Sequence, residues 1–448
     1  MNFSPVIRQV IAPLWALHEK SPYLAVARSL NESEHLSLSE RRDRQWRKLL
    51  DLIEHAWNQS PYYRKSLSST GFNPGDLKQW ADFQRLPILS KKDIAENAAE
   101  IISRTSKRED LRPRKTSGST GVNLNFYVDD AEFQYKRGVQ LYRDQWTGWK
   151  LGEWKAFVWG NPTYTYSLHG RIRNSLLERS FSLDTLKMDE AMMASFASEI
   201  FRRKPTMLFG HAHSLYLFAG FWRGRGLPAY RFRGILSTAM VLHEHERKAC
   251  ESVFETPVFD RYGCEEVSLI ASECEKHEGL HVNTDSLIVE VMKDNRPAEP
   301  GETGRVLVTD LYNKAMPFIR YEVGDTAVPS NQTCSCGRTY PLLKRITGRV
   351  ADYLRTPEGE WISGISLTEN FATLIPGLHQ IQILQEAPDF LRLRTVRGPN
   401  FADGSIRLMA EMVQQRFGSR MRFVIDYVDS IKPEPSGKYR FSIYQVEL

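Results

Sequence analysis

Near its end the chain of 448 residues reads Pro435-Ser436-Gly437-Lys438-Tyr439-Arg440, and far upstream it reads Lys115-Thr116-Ser117-Gly118-Ser119-Thr120-Gly121. Glycines let a backbone approach an anion closely, and hydroxyl and N–H groups donate hydrogen bonds to phosphate oxygens. The pattern predicts an upstream loop that wraps the phosphates of a nucleotide, with Lys438 as the lone lysine that reaches them. Taken alone, such a loop is more often a flexible surface loop, and it is not the G-x-x-x-x-G-K-S/T phosphate loop.

Three further motifs lie between these two stretches, and the five together carry a resemblance. They are Tyr262-Gly263-Cys264-Glu265-Glu266, Arg320-Tyr321-Glu322-Val323-Gly324-Asp325 and Ile346-Thr347-Gly348-Arg349. In this order the motifs resemble the adenylate-forming enzymes, and within them the phenylacetate–CoA ligase family and its capsule-biosynthesis relatives. The resemblance extends from about Ser60 to Lys438.

The resemblance implies a role for one residue in each motif. Tyr262 would lie against the adenine, and Glu265 would bind Mg²⁺, a hard cation that prefers carboxylate oxygens. Asp325 would accept hydrogen bonds from both ribose hydroxyls, and Arg349 would contact the nucleotide near the domain junction. Without the resemblance, Glu265 is more simply a surface carboxylate, and Asp325 and Arg349 are more simply members of ion pairs.

Lys438 matches the C-terminal lysine of the resembled family, which bridges the carboxylate and the α-phosphate during adenylation. The attack of a carboxylate on ATP brings two anions together. A fixed ammonium between them stabilises the transition state more than the ground state.

The five cysteines are an odd and low number, which argues against a secreted disulfide scaffold. Cys334 and Cys336 form a C-x-C knuckle, while Cys274 and His281 frame a charged loop. Three thiolates and an imidazole suit tetrahedral Zn²⁺, and some members of the resembled family carry the same pattern. Four protein ligands leave no open position, so the predicted zinc is structural.

Alternatives to this zinc site remain open at the level of sequence. The cysteines could be reduced and unligated, His277 could replace His281, and Cys264 is a weaker ligand candidate. For Cys250, which lies on a predicted helix, packing in the core is the safer interpretation.

Composition limits the class of protein. Hydrophobic residues make up 41% and charged residues 25%, which are globular values, and the net charge of +6 is mild for this length. The basic residues are scattered, which argues against a nucleic-acid partner, although a slight positive field suits an anionic substrate such as ATP. No apolar run approaches the ~20 residues of a membrane span, and no secretory signal is clear, so a cytoplasmic protein is expected.

The chain is too long for one ordinary core, and an α/β fold with two domains is predicted. Residues 1–349 are expected to form a large, multi-sheet N-terminal AMP-binding (adenylation) domain, and 350–448 a small, mobile α+β domain that carries the catalytic lysine. Residues 1–115 are predicted to be mostly helical, with a helix over Arg41–Trp57 that ends at Ser60-Pro61 and a helix capped by Ser90 and Asp93.

Apolar runs and helical periodicity predict the remaining elements. Strands are expected at Ala156–Trp159, Met207–Phe209, Gly234–Ser237, Leu287–Val291, Arg305–Thr309, His379–Leu384, Phe390–Thr395 and Arg422–Val428. Helices are expected at Met188–Arg203, His243–Phe254, Ser366–Leu374 and Ile406–Phe417. A strand over Met316–Tyr321 would place Asp325 just beyond its end.

The chain departs from the family pattern at three places. No lysine follows the upstream loop, which continues as Val122-Asn123. The hinge reads Arg349-Val350-Ala351-Asp352, whereas relatives usually have Arg-x-Asp, and Thr356–Glu360 resembles a simple hairpin turn in place of a glycine-rich loop. Adenylation is therefore better supported than transfer to coenzyme A.

The leading hypothesis is an enzyme that activates a carboxylic acid with MgATP as an acyl-adenylate and passes the acyl group to coenzyme A. A second hypothesis sends the acyl group to an amine, a sugar or a carrier, and a third is an inactive binding protein that retains the fold. The resemblance also suggests a homodimer. Residues that could line the acid pocket, or equally pack in the core, are Trp159, Phe209, His211 and His213.

Overall fold

A computed structural model describes residues 3–115, 124–160, 168–185, 188–347, 353–364, 367, 370–371, 374–431 and 442–446. It is a mixed α/β protein with a large, multi-sheet N-terminal domain and a small C-terminal domain, as predicted. The expected boundary between residues 349 and 350 falls outside the described residues and stays a prediction. None of the described helices combines the length and apolar character needed to span a bilayer.

The described residues 3–115 are mostly helical, as predicted for residues 1–115. The main helices are Ser4–Val6, Ile7–Ile11 (a π-helix), Ala12–His18, Tyr23–Glu32, Leu38–Gln59, Pro61–Ser69, Trp80–Phe83 and Lys91–Ile101. Ser60 ends one helix and begins the next, because Pro61 disfavours a helical conformation in the residue before it. The capping box of Ser90 and Asp93 is confirmed, since each side chain binds the backbone N–H of the other residue.

Twelve strands form one large sheet. Their order across the sheet is Arg296–Pro297, Leu287–Lys293, Gly304–Asp310, Tyr321–Ser330, Leu342–Ile346, Leu280–Val282, Ser268–Ser272, Val258–Cys264, Gly234–Thr238, Met207–His211, Lys155–Val158 and Ser180–Leu183. The last five are parallel to one another, and the strands before them pair antiparallel.

The parallel half has helices between its strands. Glu190–Arg203, Ala212–Gly224 and Glu244–Phe254 precede the strands that begin at Met207, Gly234 and Val258. Apolar side chains of these helices and strands share one core, which also contains Cys250, 2% exposed. Parallel strands need such crossover connections, and their carboxyl ends form the edge at which ligands bind in α/β sheets.

The antiparallel half corrects one prediction. Residues Met316–Arg320 are not a strand, because Arg320 has a left-handed φ of 50° and Pro317 offers no N–H to a ladder. The guanidinium of Arg320 is buried instead against Glu290 and two backbone carbonyls. The strand begins at Tyr321, so Asp325 lies within it and not beyond its end.

The C-terminal part has its own four-stranded sheet, in the order Arg422–Tyr427, Phe390–Arg397, Leu378–Ala387 and Ser442–Tyr444. The helix Asp403–Phe417 packs with these strands in a separate apolar core. Tyr353–Arg355 and Trp361–Ser363 pair as a hairpin, which confirms the predicted turn at Thr356–Glu360. The helix predicted over Ser366–Leu374 includes residues outside the described part.

Candidate nucleotide and metal sites

Tyr262 and Asp325 come together although they belong to different strands. The Tyr262 hydroxyl donates a hydrogen bond of 3.0 Å to Asp325 Oδ2, and both residues are buried. The strand of Asp325 bulges at this point. Arg305 pairs with Thr326, and Leu307 pairs with Glu322. The three residues 323–325 therefore lie opposite the single residue Val306.

Gly324, at the centre of this bulge, has φ of 89°, a conformation that glycine adopts without strain. A bulge redirects side chains out of the regular alternation of a strand. Here it accompanies the approach of Asp325 to the phenol of Tyr262.

A cavity of ≈ 200 Å³ opens beside this pair at the carboxyl end of the parallel strands. Its lining includes Ala239–Leu242, Asp260–Gly263, Asp325 and Lys344–Ile346. Gly263 has no room for a side chain, because a Cβ there would lie 2.6 Å from the Ser268 carbonyl oxygen. The cavity is therefore shaped by backbone as well as by the tyrosine and the carboxylate.

Arg247, Asp260 and Glu273 are among the charged residues that line the same cavity. Arg247 donates hydrogen bonds of 2.8 and 3.0 Å to the two carboxylate oxygens of Glu273. Burial and the neighbouring Glu273 raise the pKa of Asp260 to about 7, while Arg247 opposes the rise. Asp260 can therefore exchange a proton near neutral pH.

Glu265 lies at a second cavity, of ≈ 190 Å³, and not at the one beside Tyr262. Arg114, Glu132 and Lys136 line it together with Glu265. The Glu265 side chain is open to solvent, yet partial desolvation by the surrounding protein raises the pKa of its carboxyl, and Arg114 opposes this shift. A carboxylate at the mouth of a cavity suits a cation such as Mg²⁺.

Glu266 was not among the predicted site residues, but it is held more firmly than Glu265. It is buried, accepts a hydrogen bond of 2.7 Å from the Tyr321 hydroxyl, and lies 3.3 Å from the Lys91 ammonium. The sequence signals were the adjacent carboxylates and the motif around Lys91. Their pairing across 175 positions could not be read from either motif alone.

Several predicted residues lie outside the described part of the chain: Thr116, Ser117, Gly118, Ser119, Thr120, Gly121, Arg349 and Lys438. The two strands that flank the loop are described. Arg112–Lys115 pairs antiparallel with Asn125–Val128, and Lys115 lies opposite Asn125. The roles at the nucleotide of the residues outside the described part stay predictions.

The predicted zinc ligands converge. One ligand atom from each of Cys274, His281, Cys334 and Cys336 lies within 4.8 Å of all the others. The Sγ atoms of Cys274 and Cys334 are 3.5 Å apart, and Cys336 Sγ lies 3.6 Å from His281 Nε2. Tetrahedral Zn²⁺ with Zn–S bonds of 2.3 Å requires ligand atoms about 3.5–3.8 Å apart, so the residues fit this ion.

The other candidate ligands, His277 and Cys264, are not part of this set of four. His277 lies with its Nδ1 3.1 Å from the Glu273 carboxylate, and neither it nor Cys264 belongs to the cluster of four. Backbone N–H groups of Lys276 and Arg338 point at two of the cluster's sulfurs, each at 3.4 Å. Such N–H groups stabilise the negative charge of thiolates.

Of the four candidates for the acid pocket, three contact one another through their rings, and His213 contacts a carboxylate instead. The rings of Trp159 and His211 lie 4.0 Å apart, and Phe209 lies 5.4 Å from Trp159. His211 is 1% exposed, neither ring nitrogen has a hydrogen-bond partner among the described residues, and burial lowers its pKa to about 3. His213 instead shares a hydrogen bond of 2.7 Å with the Glu246 carboxylate.

The fold is that of an adenylate-forming acyl-CoA ligase. A solved structure of 2-hydroxyisobutyryl-CoA ligase, in complex with 2-HIB-AMP and CoA in the thioesterification state, superposes with a TM-score of 0.64. It is 22% identical and covers 93% of this chain and 92% of its own. An open conformation of the same ligase gives a TM-score of 0.61 at 21% identity, with 92% of this chain and 93% of its own covered.

Relatives by sequence agree with this fold. Residues 354–445 match the CapK C-terminal domain. Protein CapK of Staphylococcus aureus is 23% identical over 373 residues, which are 82% of this chain and 81% of CapK. Phenylacetate-coenzyme A ligase of Thermus thermophilus is 24% identical over 341 residues, 72% of this chain and 73% of its own. The homologues of this chain are thus CapK and phenylacetate–CoA ligases, and its predicted enzyme class, an adenylate-forming ligase, is confirmed.

Proposed function

We propose that this enzyme activates a carboxylic acid with MgATP, releases pyrophosphate and forms an acyl-adenylate, and then transfers the acyl group to coenzyme A. The observation that carries the proposal is the hydrogen bond between Tyr262 and Asp325 beside the ≈ 200 Å³ cavity. An aromatic ring and a carboxylate beside one cavity suit the two halves of adenosine. The ring offers a face to the adenine, and the carboxylate accepts hydrogen bonds from the ribose hydroxyls.

The tail of the chain supplies the charge that adenylation needs. In our proposal residues 350–448 form the small domain, and Lys438 from this domain meets the carboxylate and the α-phosphate. The Thr116–Gly121 loop would hold the β- and γ-phosphates through its hydroxyl and N–H groups. Because no lysine follows this loop, Lys438 has the larger share in neutralising the reacting anions.

Glu265 is the proposed ligand of Mg²⁺. When bound, the ion neutralises phosphate oxygens and favours the departure of pyrophosphate. The position of Glu265 at the mouth of its cavity leaves its carboxylate available to a cation. Glu266, between Lys91 and Tyr321, is better suited to holding the strand end in place.

Structural Zn²⁺ is the proposed occupant of the cluster of Cys274, His281, Cys334 and Cys336. The four residues come from segments far apart in the chain, so a shared ion would tie Leu280–Val282 to the 334–336 turn. All four positions around the ion are protein atoms, and this leaves no position for a substrate.

A second function has one specific observation in its favour. The C-terminal residues 354–445 match the CapK C-terminal domain, and the hairpin at Thr356–Glu360 stands where relatives usually have a glycine-rich loop. The acyl-adenylate would then pass to an amine, a sugar or a carrier instead of coenzyme A.

Two assays distinguish these functions. Pyrophosphate release is measured with MgATP and a panel of aliphatic and aromatic acids. Mass spectrometry then searches for the thioester after coenzyme A is added. Release followed by a thioester supports the first function, and release with an adenylate that persists beside coenzyme A supports the second. No release with any acid of the panel would count against both.

A further inference from the structure

The cavity of ≈ 190 Å³ beside Glu265, called the second cavity below, contains a buried acid that the proposed reaction does not use. Glu132 lines this cavity and is 1% exposed. Its Oε1 atom contacts the ammonium of Lys136, whereas its Oε2 atom is buried and has no hydrogen-bond partner among the described residues. A buried oxygen without a partner is costly, so a group that enters the cavity and hydrogen-bonds to Oε2 is favoured.

The surroundings of Glu132 make it a hydrogen-bond donor at neutral pH. Burial raises the pKa of Glu132 to about 8 and the nearby Asp310 adds to the rise, while Lys136 opposes it. The carboxyl is therefore mostly protonated at pH 7. The proton belongs on Oε2, because Oε1 faces an ammonium that can only donate.

The second cavity adjoins the cavity proposed for adenosine. Tyr262 and Gly263 line the first cavity, and the next two residues of the chain, Cys264 and Glu265, line the second. With adenosine in the first cavity and Mg²⁺-bound phosphates at Glu265, the α-phosphate lies where the two cavities meet. An acid that attacks this phosphate can then extend its tail into the second cavity, towards Glu132. This placement rests on the proposed function.

The lining of the second cavity favours a small and polar tail. Its volume is below the ≈ 300–1,000 Å³ of pockets for drug-sized ligands. Glu132, Lys136 and Gln140 recur every four residues on the helix Asp130–Asp144, so polar groups follow one face of this helix along the cavity. Seven of the ten lining residues are charged or polar, and a purely aliphatic tail would leave such groups without partners.

The charges around the second cavity compensate one another. Each cation of the lining has an acid near it: the pairs are Lys136 with Asp310, Arg114 with Glu265, and Arg137 with Glu19. Glu132, being mostly protonated, adds little charge at neutral pH. The cavity therefore favours a neutral polar group over an ammonium or a second carboxylate, either of which would bring an unmatched charge.

We propose that the acid substrate carries a hydroxyl group on its tail and that Glu132 binds this hydroxyl in the second cavity. The hydroxyl accepts a hydrogen bond from the carboxyl at Oε2 and gives that atom the partner it otherwise lacks. A site built to hydrogen-bond a substrate hydroxyl rejects the analogue without it, because its own buried polar group is then left unpaired.

The test measures pyrophosphate release by the parent enzyme with MgATP and matched pairs of acids. Butyrate is compared with 2-, 3- and 4-hydroxybutyrate, and phenylacetate with 4-hydroxyphenylacetate. 3-Aminobutyrate and succinate replace the hydroxyl by an ammonium or a carboxylate. We expect one hydroxy acid to exceed its matched analogue in kcat/KM by roughly 10–100-fold, since the analogue leaves the Glu132 carboxyl unpaired.

Variants at Glu132 test its role in this preference. Glu132→Gln keeps a donor of the same shape and should keep the preference. Glu132→Met removes the polar group at similar volume and should lower the ratio of kcat/KM between the hydroxy acid and its analogue roughly tenfold or more. Both acids are assayed on the same enzyme, so the ratio does not depend on the folded fraction. Tyr135→Phe, on the same helix but outside this cavity, should leave the ratio unchanged.

The outcomes separate this inference from the proposed function. A parent that uses acids without a hydroxyl as well as their hydroxy analogues, or that prefers 3-aminobutyrate or succinate, would overturn the inference and leave adenylation standing. A Glu132→Met enzyme with an unchanged ratio would do the same. If this variant raised the KM for ATP equally with every acid, the second cavity would hold phosphates instead. No release with any acid would overturn the proposed function, and the inference with it.

Discussion

The phenol of Tyr262 and the carboxylate of Asp325 are 63 positions apart in the chain and 3.0 Å apart in space. We expect Asp325→Asn to raise the KM for ATP roughly 10- to 100-fold, because hydrogen bonds to a charged acceptor contribute about 1.5–3 kcal/mol. The maximal rate of pyrophosphate release should change less. The assay is ATP-dependent pyrophosphate release at saturating acid.

Glu322→Gln is the control for this variant. Glu322 lies three residues earlier on the same strand and contacts Arg305, away from the cavity. The Glu322→Gln variant should leave the KM for ATP unchanged. An Asp325→Asn enzyme with the parental KM would remove Asp325 from the ribose site.

Lys438→Ala separates the two half-reactions. We expect pyrophosphate release to fall on the order of 10²–10³-fold, as when a preorganised charge donor is lost from a developing anion. Transfer to coenzyme A from a chemically prepared acyl-adenylate should be retained, because that step no longer joins two anions. Arg440→Ala, two positions further on, serves as the control. Equal loss in both half-reactions would point to a folding defect instead of a role in adenylation.

The adjacent carboxylates Glu265 and Glu266 should respond differently to replacement by glutamine. Glu265→Gln should raise the Mg²⁺ concentration for half-maximal activity while the melting temperature stays close to that of the parent. Glu266→Gln should lower the melting temperature, since breaking a buried ion pair such as that with Lys91 costs about 3–5 kcal/mol. A magnesium titration and a melting curve on each variant are sufficient. If Glu266→Gln alone changes the magnesium requirement, the metal ligand is Glu266.

The elements that the sequence predicted best are those with a strong local pattern. The strands at Met207, Gly234 and Leu287 were found within a few residues of their expected ends, because short apolar runs are typical of strands buried in a sheet. The helix Leu38–Gln59 was likewise expected from its apolar spacing and its stop at Ser60-Pro61.

The site depends on features that leave weaker local signals. The bulge around Gly324 arises from the pairing of two strands, and a lone glycine in a strand does not specify its geometry. The contact of Lys91 with Glu266 joins a helix to a distant turn between two strands. The four proposed zinc ligands were predicted as one set because cysteine and histidine spacing is a strong signal, and the structure brings them together although they are distant in the chain.

We expect the zinc content of the protein to depend on the four residues Cys274, His281, Cys334 and Cys336. The parent should contain one zinc per chain by elemental mass spectrometry. Cys336→Ser should lose it and melt several degrees lower, because a bound structural ion contributes directly to folding. Cys264→Ser, a half-buried cysteine outside the cluster, should retain the zinc. A zinc-free parent with normal stability would contradict the proposed ion.

Asp260 makes stability depend on pH in a defined direction. Its pKa is raised from 3.8 to about 7 in the folded protein, so the folded state binds a proton more tightly than the unfolded state. Stability is therefore lost as pH rises from about 4 to 7, and the loss is complete above 7. Asp260→Asn cannot ionise, so we expect it to melt higher than the parent at pH 8.

This gain should shrink steadily as the pH falls from 7 towards 4, where the parent carboxyl is protonated as well. Melting curves at four pH values across this range test the expectation. Glu255→Gln is the control, since Glu255 is an exposed carboxylate that pairs with Arg231 at the surface, and such pairs contribute little. A gain in melting temperature that is equal at pH 5 and pH 8 would show that the introduced asparagine acts through packing or hydrogen bonding. The expectation that the pKa of Asp260 is raised would then be wrong.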